Sequence, residues 1–80
     1  MADLQDQGLI TPEAMFELGM KYASGHEVPI DLITAHKWFN VAAMLGNSDA
    51  NRLRREIAAE MSKAEITEAQ RAARAWITRH

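Results

Sequence analysis

The stretch DLITAHKWFNVAAMLGNSDA, residues 31–50, decides the fold. Asp31 carries the short carboxylate that caps a helix N-terminus. Leu32, Ala35, Trp38, Phe39, Ala42 and Leu45 follow at steps of three and four, a broad apolar face at the helical period. Gly46 is placed to end that helix in a left-handed conformation. Asn47, Ser48 and Asp49 then offer caps for another helix, in which Ala50, Leu53, Ile57 and Met61 align.

The same grammar extends in both directions. Upstream, Thr11-Pro12-Glu13 supplies a cap, a proline suited to the first helical position and an acid for the positive end of the dipole. Ala14, Leu18 and Tyr22 share one face of that helix, which stops near Ser24-Gly25. Pro29 keeps the next helix from starting early. Downstream, Ser62-Lys63-Ala64-Glu65 has the form of a capping box, followed by the stripe Ile66, Ala69, Ala73, Trp76 and Ile77. No strand signal competes. The expectation is an all-α fold of four antiparallel helices joined by short connections. Residues 1–10 form an N-terminal arm and 11–80 one helical domain, with a first hairpin over 11–46 and a second, capping hairpin over 47–80. Trp38 and Trp76 are the expected core anchors. Tyr22, Trp38 and Phe39 are expected to fill the space between the first two helices. His36, Lys37 and Asn40 are assigned to the outer, solvated face of the second.

Composition narrows the function. Eighty residues make one domain with a thin stability margin, and 48% hydrophobic residues suffice for a single core. The chain has no cysteine, so disulfides and thiolate metal sites are excluded. The formal charge of -2 gives no general attraction to nucleic acid or anionic lipid. It divides unevenly: residues 1–40 hold two basic and six acidic side chains, residues 41–80 seven basic and five acidic. No apolar run reaches the roughly 20 residues that span a bilayer. The start, Met1-Ala2-Asp3-Leu4-Gln5-Asp6, is unlike a secretory signal, so a full-length chain of this sequence is expected to be cytoplasmic.

Ala14, Leu18-Gly19, Tyr22, Gly25, Val28, Asp31, Ala35, Trp38, Ala42-Ala43, Gly46 and Ala50 together resemble the pattern of a Sel1-like repeat, a relative of the tetratricopeptide repeat. The resemblance covers roughly half the chain. One position departs: the loop that usually carries a second glycine has Glu27. Gly19 makes sense in this frame as the point where the second helix packs close to the first. A second copy would begin at Ala50, but the positions matching Leu18-Gly19 hold Arg54 and Arg55, so the last two helices look like a divergent cap. Ala-rich tails ending in Trp, as Ala69 to Trp76 here, often follow such repeats. Sel1-like repeats typically act as scaffolds or adaptors in protein–protein recognition, in bacteria often linked to signalling or host interaction. The resemblance therefore implies an adaptor, with the first helix of the pair lining the binding surface.

Phe16, Met20 and Ala23 fall on the face of the first helix opposite Leu18 and Tyr22. Phe16 and Met20 are the expected apolar patch for a partner protein or peptide, with Glu13, Glu17 and Lys21 around them. The alternatives are that Leu4, Leu9 and Ile10 of the arm, or the third helix, cover this patch, and that the chain associates with itself. Catalysis is not expected: Ser24, Ser48 and Ser62 sit at helix ends or caps, no phosphate-binding glycine motif is present, and Glu13 and Glu17 lack any sign of burial. His26, Glu27, Asp31 and His36 match no metal-ligand spacing, so neither metal nor cofactor nor small-molecule substrate is assigned. A competing reading makes the chain a small nucleic-acid-binding regulator presenting Arg52, Arg54 and Arg55. The net charge and the interleaved Glu56, Glu60 and Glu68 weigh against it.

Overall fold

Every helix starts at a side chain that closes it. In the computed structural model, which describes residues 10–80, four helices make up the fold: α1 (Pro12–Ser24), α2 (Leu32–Met44), α3 (Ser48–Ala58) and α4 (Lys63–Arg79). No strand occurs among the described residues. Thr11 Oγ1 accepts the Ala14 N–H at 3.0 Å. Asp31 accepts the Thr34 N–H at 3.1 Å and the Thr34 hydroxyl at 2.7 Å, one on each carboxylate oxygen. Asn47 Oδ1 accepts the Ala50 N–H at 2.9 Å. Ser62 and Glu65 form the reciprocal capping box, with bonds of 2.8 and 3.1 Å. Such caps stabilise by about 1 kcal/mol each.

The ends are equally specific. At Gly25 (φ 76) the N–H groups of Gly25 and His26 both donate to the Lys21 carbonyl, at 3.0 and 3.2 Å. The neighbouring Tyr22 carbonyl accepts the Asp31 N–H at 3.0 Å, which ties the start of α2 to the end of α1. At Gly46 (φ 112) the Gly46 and Asn47 N–H groups satisfy the carbonyls of Ala43 and Ala42.

Glu27 is the one described non-glycine residue with positive φ, at 68°. A side chain in this conformation costs roughly 1–2 kcal/mol. Its carboxylate reaches Lys21 Nζ only at 3.8 Å, and the pair is solvent-exposed enough to return little of that cost.

The principal interhelical contacts all involve α2, which packs against α1, α3 and α4. The core is centred on Phe39, 1% exposed, with Met15, Ala35, Val41, Ala42, Ala50 and Ala73 around it. Ala69 is also buried. Gly19 lies directly under the Phe39 ring: a Cβ there would meet Cδ1 and Cε1, the latter at 2.5 Å. The close approach of α1 and α2 is therefore made possible by the missing side chain.

Three expectations change. His36 is fully buried rather than on a solvated outer face. The physical reason is that α2 is surrounded by three helices and has too little outer face to keep it in water. The tryptophans are partly buried flanks of the core, not its centre. Trp38 packs edge-on against Trp76 of α4, with ring centroids 5.4 Å apart. Phe16, expected opposite the buried face, turns its ring to Phe39 at 5.7 Å. On α1 the buried line runs through Met15 and Gly19, and Phe16 borders it.

Two substitutions check this account. Gly19→Ala should lower stability by about 1–2 kcal/mol, because overpacking against Phe39 outweighs a helix-propensity gain of about 1 kcal/mol. Glu27→Gly should raise it by about 1 kcal/mol as the left-handed position loses its side chain. Urea denaturation of the two variants beside wild type reads both signs.

Candidate functional site

The last two turns of α1 and the loop behind them form a shallow hollow of about 360 Å³, lined by Glu17, Met20, Lys21, Ser24 and His26. Met20 is its apolar element, 42% exposed. Lys21 is held at the rim by its contact with Glu27. Ser24 lies beside it, its hydroxyl donating to the Lys21 carbonyl at 3.5 Å. The turn at Gly25 carries His26 back over the last helical turn through the bond to Lys21.

Of the residues expected at a binding face, Glu17, Met20 and Lys21 come together here. Glu13 is exposed outside the hollow. Phe16 is drawn towards the core by Phe39, so α2, rather than the third helix, is what covers it. The remaining arm residues that were candidates for covering this face, Leu4 and Leu9, lie outside the described residues. The sequence marks Ser24 as a helix end and gives His26 no binding role. The signal that could have placed them is Gly25, whose reversal of the chain folds the next residue onto the helix end.

The three arginines of the competing reading differ in their surroundings. Arg52 is engaged with Asp49 and Glu56, at 3.8 and 3.2 Å. Arg54 is half-buried and donates to Asn51 Oδ1 at 2.6 Å. Arg55 is exposed. No group of three or more His, Asp or Glu side chains gathers as a metal site among the described residues. None of the described helices is long and apolar enough to cross a membrane.

The other chemically distinctive place is internal. Neither ring nitrogen of His36 has a hydrogen-bond partner among the described residues, and the same holds for Arg54 Nε. Burial, reinforced by the Arg54 charge, holds the His36 pKa below its ordinary value of 6.5. Both causes act against the imidazolium and favour the neutral ring at this buried position. The Asp31 carboxyl is shifted down as well, chiefly by the Thr34 hydroxyl, and it matters only in the carboxylate range.

Compared with protein-family models, with curated proteins and with solved structures, the chain matches none of the three.

The buried histidine predicts a pH dependence. Because the folded-state pKa is depressed, the unfolded chain takes up the proton first as pH falls through about 6.5. Stability should be fully present above that value and decline progressively below it, towards the lower folded pKa. Denaturation midpoints between pH 7.5 and 5, compared for wild type and His36→Leu, test this: the decline should be strongly reduced in the variant.

Proposed function

We propose that the chain is a protein-interaction module of the Sel1-like type, which docks a segment of another protein through the outer turn of α1. Binding, not chemistry, is the proposed activity. The observation that carries it is Met20: a long, unbranched apolar side chain left in water in a hollow bordered by Glu17 and Lys21. Methionine adapts its shape to an incoming apolar group without a fixed rotamer. The opposite charges beside it can orient a partner without demanding a strongly charged one.

Local geometry at several motif positions supports the family reading. Gly19 admits Phe39, Gly25 takes a left-handed turn, Glu27 repeats that conformation, and Asp31 caps α2. In a repeat of this type the first helix of the pair faces the ligand, and α1 is that helix here.

The test is affinity capture from source-cell lysate with wild type beside Met20→Asp. Met20 is exposed, so the variant should unfold within about 0.5 kcal/mol of wild type. A protein retained by wild type should lose at least about 1 kcal/mol of binding, roughly fivefold, on the variant. Equal retention by both would reject the α1 surface as the docking site.

A further inference from the structure

A second hollow, of about 470 Å³, opens where the end of α1, the start of α2 and the α3–α4 turn meet. It is lined by Tyr22, Pro29, Ile30, Leu32 and Ile33 together with Asp31, Glu60 and Glu65. Its size falls within the range that accepts bulky side chains. Ile30 is 64% exposed, the most exposed large apolar side chain among the described residues. It is nonetheless held from both sides. The Asp31 N–H is bonded to the Tyr22 carbonyl. The Ile30 side chain lies against Gly25, where an added Cβ would meet its Cγ1 at 2.8 Å. An apolar group fixed in water has little ordering entropy left to lose when a partner covers it.

The rim has one sign. Asp31, Glu60 and Glu65 are all exposed, and no cationic side chain lines the hollow. Two helix N-termini also open nearby, those of α2 and α4, and each contributes roughly half a positive charge. Three carboxylates against about one unit of dipole charge leave a net of roughly −2, so the negative term wins. The two capping bonds do not remove it, because Asp31 and Glu65 stay anionic while accepting them.

We propose that this hollow is a second docking surface, for an apolar side chain flanked by lysine or arginine in a segment of another protein. Ile30, Leu32 and Ile33 receive the apolar group, and Glu60 with Asp31 and Glu65 pairs with the flanking cations. This surface is separate from the one around Met20. It shares none of that hollow's lining residues and differs from it in charge.

The experiment is selection of displayed short random peptides on the immobilised chain, with recovered clones retested on Ile30→Asp, Glu60→Lys and Met20→Asp. Ile30 and Glu60 are exposed, so those variants should keep the wild-type helicity and melting point, which circular dichroism checks. The expected clones carry an apolar residue flanked by Lys or Arg. They lose roughly tenfold or more in affinity on Ile30→Asp and on Glu60→Lys, weaken with salt, and are unaffected by Met20→Asp. Neutral or acidic clones would overturn the proposal, as would clones indifferent to both hollow variants, or no clones at all. Salt-sensitive self-association of wild type that Glu60→Lys abolishes would also overturn it, by assigning the hollow to a second copy of the chain. Loss on Met20→Asp alone would return binding to the α1 surface.

Discussion

The contact between the Phe39 ring and the bare backbone of Gly19 is the constraint on which the rest of the structure depends. It sets how closely α1 and α2 approach and draws Phe16 onto the same ring. With α1 seated there, α2 becomes a central helix that α3 and α4 also pack against. A small domain has little surface to bury, and this arrangement concentrates burial on one helix instead of spreading it thinly over four. The cost is that α2 must accept side chains on nearly every face.

His36 and Arg54 record that cost. Both would be comfortable in water, yet one is enclosed by neighbouring helices and the other is half-buried with Nε unpaired. Together they make the core tolerant of neutral pH and intolerant of a second charge. At the far side of α2, Trp38, Trp76 and His80 form a partly exposed aromatic row. His80 stacks on Trp76 at 4.2 Å, and its Nδ1 donates to the Trp76 carbonyl at 2.8 Å. Lys37 Nζ lies 4.2 Å from the Trp38 ring centre on the same side. This row links α2 to α4 by ring contacts rather than by burial of whole tryptophans.

The two surface hollows have a common origin at the α1–α2 loop. Gly25 and Glu27, both left-handed, turn the chain tightly, and the Asp31–Tyr22 bond closes it. His26 is thereby placed beside Met20 and Lys21 on one side. Ile30 is placed beside Leu32 and the α3–α4 turn on the other. The loop therefore shapes both surfaces, and the strain at Glu27 is carried in the segment that separates them.

What the sequence by itself determined is local. The helices, their caps at Thr11, Asp31 and Ser62, a third cap among Asn47, Ser48 and Asp49, and the glycines Gly25 and Gly46 near the helix ends are legible in the sequence. Each depends on residues only a few positions apart, and hydrogen bonds at that range follow from side-chain chemistry alone. The stripe of α4 and that of α3 as far as Ile57 were legible from periodicity, whereas α3 ends at Ala58 and leaves Met61 in the following turn. Tertiary structure alone decided the rest: the burial of His36, Met15 at the core instead of Phe16 at the surface, and the pairing of Trp38 with Trp76. It also brought Ile30 and Glu60, distant in the chain, to one hollow. Burial depends on how many helices surround a face, and periodicity along one helix carries no information about that number.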